Sequence, residues 1–238
     1  MAEYALEASG LARTFDDGTG VRGADLRIAP GEIHALVGLN GAGKSTLMRL
    51  LLGMLKPSAG TVTIAGQPLN RANWAKVGHL VEYPLAYREL TCRQNLTLNA
   101  RLHRIPAARI GGMVESIITE LRLTQYADRR AGKLSLGNRQ RLGLASALQH
   151  DSELIVLDEP TNSLDPSGVI LLREAIARRA AAGAGVLVSS HHLDEVARIA
   201  DHIPVLNAGR IIGTLDPHGV DIERSFFALV HADHEARS

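Results

Sequence analysis

The glycine-rich segment at residues 38–46 constrains the fold more than any other part of the chain. Between an apolar run at Ile33–Val37 and a helical pattern that starts at Leu47, it contains Gly38, Leu39, Asn40, Gly41, Ala42, Gly43, Lys44, Ser45 and Thr46. Such glycines let backbone N–H groups turn around phosphate oxygens, and the following helix adds the positive end of its dipole. We therefore predict a nucleotide phosphate loop in which Lys44 contacts the β- and γ-phosphates and Ser45 ligates Mg²⁺. The alternative, a glycine-rich turn that ends in Lys-Ser by chance, would occur in roughly one chain in a hundred of this length.

The charge balance narrows the classes of partner. The 238 residues include 26 Lys and Arg against 25 Asp and Glu, so no net field favours nucleic acid or an anionic membrane surface. The one cysteine, Cys92, excludes an internal disulfide and fits a reducing compartment. No apolar run is long enough for a membrane span. We expect a cytoplasmic protein that reaches a membrane only through a partner.

Short apolar runs predict two kinds of sheet. Residues 4–28 contain short strands broken by turn signals, and residues 60–66 add another, as in an antiparallel sheet. Continuous apolar runs at Ile33–Val37, Leu154–Leu157 and 186–188 are typical of parallel strands that are covered on both faces.

Helical patterns fill the segment between residues 84 and 134. Thr91 and Gln94 have the spacing of a capping box, and a core-facing stripe comprises Ile110, Val114, Ile117, Ile118 and Leu121. After Pro217 we expect one short helix to residue 230 and a frayed tail at 232–238. We interpret His231 and His234 in that tail as solvent-exposed rather than metal-binding.

Acidic residues and a histidine follow two of the predicted parallel strands. Asp158 and Glu159 come directly after Leu154–Leu157, where open α/β sheets place their ligands, and His191 follows the strand at 186–188. We predict that Asp158 holds Mg²⁺ through water and that Glu159 is the general base for an attacking water. His191 would donate to the γ-phosphate. The alternative is an acidic pair on the surface at a strand end.

With these motifs, the chain from about residue 6 to residue 229 resembles the nucleotide-binding subunit of an ABC transporter. The resemblance implies that ATP is sandwiched in a head-to-tail homodimer, where a signature motif of one copy faces the phosphate loop of the other. The positions that match the signature are Ser135, Leu136, Gly137 and Asn138, and Asp165 matches a loop that crosses the dimer interface. Phe15 matches the aromatic residue that stacks on adenine; the alternative is a core phenylalanine.

Two positions depart from the usual family pattern. Glu82 stands where the family has Gln; it keeps an oxygen that can ligate the metal but adds charge near the phosphates. Leu136 stands where the common signature has Gly, and it would be strained if the backbone there had a positive φ. Both departures resemble the branch that serves bacitracin resistance and lantibiotic immunity, which exports peptide antibiotics.

The resemblance implies an α/β fold: a P-loop NTPase with a RecA-like, mostly parallel core, an N-terminal antiparallel β subdomain and an inserted α-helical subdomain. We expect one ABC ATPase domain over residues 1–238. Its parts would be the β subdomain and first part of the core at 1–82, the helical subdomain at 83–150, the rest of the core at 151–217 and a C-terminal helix and tail at 218–238.

The expected function is hydrolysis of ATP with Mg²⁺ to power transport, through separately encoded permease subunits that bind near residues 82–90. We expect a peripheral protein on the inner face of the membrane and export of a peptide antibiotic or drug. The alternatives are a soluble ABC-type ATPase and a nucleotide sensor that hardly hydrolyses ATP.

Overall fold

The computed structural model describes residues 3–68, 70 and 73–237. Its strands are β1 Leu6–Thr14, β2 Gly20–Ile28, β3 Ile33–Val37, β4 Ala59–Ile64, β5 Gln67–Pro68, β6 Val77–Leu80, β7 Leu154–Leu157, β8 Gly185–Ser190, β9 Ile203–Asn207 and β10 Arg210–Leu215. Its helices are α1 Lys44–Leu51, α2 Cys92–Leu102, α3 Ala107–Glu120, α4 Leu136–Leu148, α5 Pro166–Ala181, α6 Leu193–Val196 and α7 Ile222–Arg237.

The strands form the two predicted sheets. One sheet has four strands in the order β2-β1-β4-β5 and is antiparallel throughout. The other has six strands in the order β10-β9-β3-β8-β7-β6, and only the β9–β10 pair is antiparallel. Every residue of β3, β7 and β8 is buried, which explains their continuous apolar character. The predicted α/β fold with a mostly parallel core is confirmed.

The helical insert has the predicted local signals. The hydroxyl of Thr91 accepts from the backbone N–H of Gln94 at 3.1 Å, and the Gln94 side chain accepts from the Thr91 N–H at 2.9 Å. This capping box satisfies two N–H groups at the start of α2. The stripe that begins at Ile110 is buried, in one apolar cluster with residues of α4, α5 and the parallel strands.

The C-terminal helix is longer than predicted. The expected fraying after residue 230 is wrong for the described residues, because α7 continues to Arg237. Asp233 holds this end: its carboxylate accepts from the Asn207 amide on β9 at 2.6 Å and pairs with Arg237 at 2.8 Å. His231 is exposed and lies 3.5 Å from Glu235. None of the helices in the described part of the chain has the length and apolar character needed to cross a bilayer.

Candidate functional site

The loop at residues 38–46 leaves the buried strand β3 and enters α1 at Lys44. A Cβ atom on Gly38 would lie 2.3 Å from the Leu206 carbonyl oxygen on β9, so only glycine fits there. Gly41 and Gly43 have φ values of 80° and 106°, which favour glycine. The first turn of α1 has neither a side-chain cap nor an acidic residue, which leaves its N–H groups available to an anion.

The other loop residues differ in exposure. Leu39 and Asn40 are exposed, Ala42 is buried, and Ser45 and Thr46 are partly buried in the first turn of α1. Lys44 is only 8% exposed. Its Nζ donates to the Gly38 carbonyl at 2.8 Å and lies 3.6 Å from Oε1 of Glu159.

Asp158, Glu159 and His191 meet at the carboxyl ends of the neighbouring strands β7 and β8. His191 Nδ1 lies 2.7 Å from the second carboxylate oxygen of Glu159, Oε2. The ion pair and this hydrogen bond therefore orient both oxygens of Glu159 between Lys44 and His191. Asp158 is buried beside them, and Glu159 has a φ of 45°, so the backbone turns sharply after β7.

Sequence reasoning did not identify Ser189, which lies at the centre of this group. Its hydroxyl donates to Oδ1 of Asp158 at 2.5 Å and accepts from the backbone N–H of Glu159 at 2.8 Å. The side chain is fully buried at the end of β8. The sequence did contain a signal for Ser189. It is a polar residue at the end of an otherwise apolar strand, and Asp158 and Glu159 follow the neighbouring strand.

The residues predicted to form the signature motif lie at the start of α4. The Ser135 hydroxyl accepts from the Asn138 N–H at 3.3 Å, which makes Ser135 the helix cap. Leu136 is the first helical residue, 64% exposed and without a positive φ, so the conditional expectation of strain does not apply. A Cβ on Gly137 would lie 2.7 Å from the Ser163 carbonyl oxygen.

Asp165 caps α5 on the same surface. Its carboxylate accepts from Ser167, from the Gly168 N–H and from Arg141 on α4, the last at 2.5 Å. The hydroxyl of Ser167 and the guanidinium of Arg141 hold the pKa of Asp165 below its usual value. Ser135, Gly137, Asn138 and Asp165 line a cavity of about 500 Å³ to which none of residues 38–46 contributes.

The remaining predicted residues are Phe15 and Glu82. Phe15 follows β1 in a turn, is 38% exposed, and has the Arg13 guanidinium 5.8 Å from its ring centroid. It is therefore not a core residue. Glu82 has a φ of 68°, and its carboxylate forms an ion pair with Arg49 of α1. As a metal ligand, Glu82 would have to leave or share this partner.

Comparisons with known proteins agree with this architecture. The family model described as "ABC transporter" matches residues 21–162. A Nod factor export ATP-binding protein I from Rhizobium sp. (strain N33) is 36% identical over 92% of this chain and 73% of its own length. The daunorubicin resistance ATP-binding protein DrrA3 of Streptomyces coeruleorubidus is 35% identical over 91% and 70%, respectively.

A solved structure described as the ATP binding subunit of an ABC transporter is similar to this fold. The TM-score is 0.85 at 28% identity, with 94% of each chain covered. The family match, the relatives and the geometry around Lys44 lead to one conclusion: the chain belongs to the ABC transporter family, as an ATP-binding domain whose ATPase activity is coupled to transport.

Proposed function

We propose that Glu159 is the general base for ATP hydrolysis at this site. The observation that carries the proposal is the meeting of Lys44, Glu159 and His191, with 3.6 Å and 2.7 Å between the paired atoms. Lys44 and the N–H groups at the start of α1 would hold the phosphates. Glu159 would accept the proton of the attacking water while His191 keeps the carboxylate in position.

The residues beside Glu159 fit Mg²⁺. Asp158 and Ser45 offer the carboxylate and hydroxyl oxygens that this ion prefers. Ser189 fixes the Asp158 carboxylate through a hydrogen bond of 2.5 Å. When bound, Mg²⁺ would neutralise charge on the phosphates. Glu82 could join the ligands only in exchange for its ion pair with Arg49.

We also propose that two copies dimerise head to tail around ATP. Ser135, Leu136, Gly137, Asn138 and Asp165 would then contact the nucleotide held by residues 38–46 of the partner. Support comes from the separate cavity that most of them line, and from the first turn of α4, which carries no acidic residue and whose dipole end suits an anion. The whole chain would act as one ATPase domain, divided at residues 82, 150 and 217.

A groove next to the helical insert is the proposed docking site for a separately encoded permease. Its volume is about 760 Å³, and its apolar lining includes Met54, Leu85, Tyr87 and Leu102. These four residues are 45–83% exposed. Contact of so much apolar surface with water is unfavourable, and a bound partner would cover it. Through that partner the chain would lie on the inner face of the cell membrane.

The names of the relatives support export as the direction of transport. One is named for Nod factor export and another for daunorubicin resistance. We propose that the present chain powers export of a drug or peptide antibiotic.

Replacing the base tests the chemical part of the proposal. Glu159→Gln keeps the size of the side chain but removes the proton acceptor, so we expect ATP turnover to fall by about 100-fold or more. The variant should accumulate as an ATP-bound dimer, measured by size-exclusion chromatography with light scattering. Glu174→Gln, an exposed carboxylate on α5, is the matched control and should behave as wild type. Unchanged turnover in Glu159→Gln would refute the assignment.

Replacing Tyr87 tests the docking site. Among the described residues, Tyr87 forms hydrogen bonds through its backbone alone: Asn95 accepts from its N–H at 2.8 Å and donates to its carbonyl at 3.1 Å, and the Leu90 N–H donates to the same carbonyl at 3.2 Å. Tyr87→Ala should therefore preserve basal ATPase activity and abolish stimulation by the permease in membranes. Phe227→Ala, an exposed aromatic residue on α7, should preserve both. Loss of basal activity in Tyr87→Ala would contradict the assignment.

A further inference from the structure

Glu32, His34 and His202 form a cluster at the end of the parallel sheet opposite the phosphate loop. Glu32 precedes β3, His34 lies at its start, and His202 precedes β9. One ligand atom from each residue can be chosen so that all three lie within 4.8 Å of one another. Nε2 of His34 is 3.0 Å from one Glu32 oxygen, and Nε2 of His202 is 3.8 Å from the other.

The backbone fixes this arrangement. His34 and His202 are paired across a parallel β-bridge, and the His202 carbonyl accepts from the Ala35 N–H at 2.9 Å. The two imidazole centroids lie 4.8 Å apart. The Ala29 N–H donates at 2.9 Å to Oε2 of Glu32, the same oxygen that His34 contacts, and so fixes the carboxylate. The strand pairing and the turn before β3 therefore bring three ligand-bearing side chains together.

The protonation states also suit a metal ligand set. Burial lowers the pKa of His34, which is 7% exposed, and so favours the neutral imidazole that binds metals. Burial raises the pKa of Glu32, but hydrogen bonds from Ala29 and His34 outweigh it and leave the pKa below its ordinary value. The carboxylate is therefore ionised at neutral pH.

We propose that these three residues bind a divalent metal ion of the zinc class, through Nε2 of His34, Nε2 of His202 and the Glu32 carboxylate. Two imidazoles and a carboxylate are a common zinc ligand set, and bonds of about 2.0–2.1 Å place tetrahedral ligands roughly 3.3 Å apart. The spacings of 3.0 and 3.8 Å are close to that value. The side chain of His202 is 50% exposed, so water can reach the fourth position.

A simpler explanation is that Glu32 only satisfies the buried imidazole of His34. That explanation accounts for one hydrogen bond but gives no role to the third member, His202. A bound ion would use all three side chains and would tie the turn before β3 to the start of β9. The site is independent of ATP hydrolysis, because it lies at the other end of β3.

Zn²⁺ titration of the chelator-treated full chain, in competition with a chromophoric chelator, tests the proposal. Wild type should bind about one Zn²⁺ tightly, and His202→Gln or Glu32→Gln should weaken this binding by about 100-fold or more. Co²⁺ as a spectroscopic probe should give ligand-field bands in wild type that His202→Gln loses. Thermal unfolding should show a Zn²⁺-dependent rise in Tm for wild type that these variants lack.

Two controls separate this site from the other histidines. The double variant His231→Gln with His234→Gln removes the histidines of α7, and the double variant His191→Gln with His192→Gln removes the adjacent pair at the phosphate end. Both should bind Zn²⁺ as wild type does. Absence of tight binding by wild type, retention of it in His202→Gln, or its loss in either control would overturn the proposal. His202 is half-exposed, so its replacement should leave folding intact, which circular dichroism checks.

Discussion

At the scale of single residues, the site depends on side chains that hold the predicted site residues in position. Ser189 contacts Asp158 with its proton and the Glu159 backbone with its oxygen. The buried Ser189 hydroxyl thus orients the Asp158 carboxylate and also holds the backbone turn that carries Glu159. With Asp158 in its proposed role as a Mg²⁺ ligand, such a supporting hydrogen bond typically contributes 10–100-fold to affinity or activity.

Ser189→Ala should therefore reduce ATP turnover by roughly 10–100-fold and raise the Mg²⁺ concentration needed for half-maximal activity. The physical reason is that the Asp158 carboxylate loses its only side-chain hydrogen-bond donor among the described residues. Steady-state kinetics over a range of Mg²⁺ concentrations measures both effects. Ser146→Ala, which removes a hydroxyl bonded within α4, is the control. A variant with unchanged Mg²⁺ dependence would show that Asp158 needs no such support.

Residue positions were predictable from the sequence where they depend on local pattern. Lys44, Asp158 and His191 follow strands whose apolar runs can be recognised without tertiary information. Side-chain partners were not predictable in this way. The pairing of Glu82 with Arg49 joins the end of β6 to α1, and only the folded chain brings these elements together.

At the scale of elements, α4 lies against the loop that follows Glu159. Its Gln140 side chain donates to the Pro160 carbonyl at 3.1 Å, and its Arg141 holds Asp165. Near the start of the helix, Gly137 lies so close to Ser163 that no side chain fits between them. Helix α4 and the loop at residues 159–165 are therefore fixed to each other.

Gly137→Ala should separate these two elements. The new Cβ would lie 2.7 Å from a backbone oxygen, so we expect a loss of about 1–3 kcal/mol in the free energy of unfolding and weaker ATP-driven dimerisation. Denaturant titration and light scattering measure the two quantities. Gly112→Ala on α3 has nothing within 4 Å and should stabilise the chain by up to about 1 kcal/mol. Equal stability of the two variants would contradict the expected clash.

Helix ends were harder to predict than strand cores. The capping box identified the start of α2 because both of its bonds lie within four residues. The end of α7 depends instead on the hydrogen bond from Asn207 to Asp233, which joins residues 26 positions apart. No local signal in residues 232–237 reveals that partner.

At the scale of the whole molecule, the buried His150 and the partly buried His79 lie between the helical insert and the core. His150 stacks on His103 with centroids 4.1 Å apart, and His79 packs edge-on against Trp74. Burial, with smaller electrostatic effects led by His103, lowers the pKa values of His79 and His150 to about 4. Neither Nδ1 atom has a hydrogen-bond partner within the described residues.

These histidines should make stability depend on pH. Unfolding restores an ordinary pKa of 6.5, so the unfolded chain binds more protons than the folded chain between about pH 6.5 and pH 4. Above this range both histidines are neutral in the folded and the unfolded chain and do not change the free energy of unfolding. As the pH falls through the range, proton binding to the unfolded chain lowers the free energy of unfolding. We expect roughly 2 kcal/mol lower stability at pH 5 than at pH 7 for each histidine.

Urea titrations at both pH values measure this loss. His150→Gln should reduce the difference by roughly 2 kcal/mol, whereas exposed His218→Gln should not change it. The same pH difference in wild type and His150→Gln would mean that other groups control the acid sensitivity.

The contact between Lys44 and Glu159 makes nucleotide binding a competition between anions. Lys44 already lies 3.6 Å from a carboxylate, so an arriving phosphate draws the ammonium away from an internal counter-ion. Removal of the Glu159 charge would end that competition as well as the proposed proton transfer. Tight retention of ATP in Glu159→Gln would thus have two causes. ATP would not be hydrolysed, and Lys44 would no longer be paired with a carboxylate that competes with the phosphates.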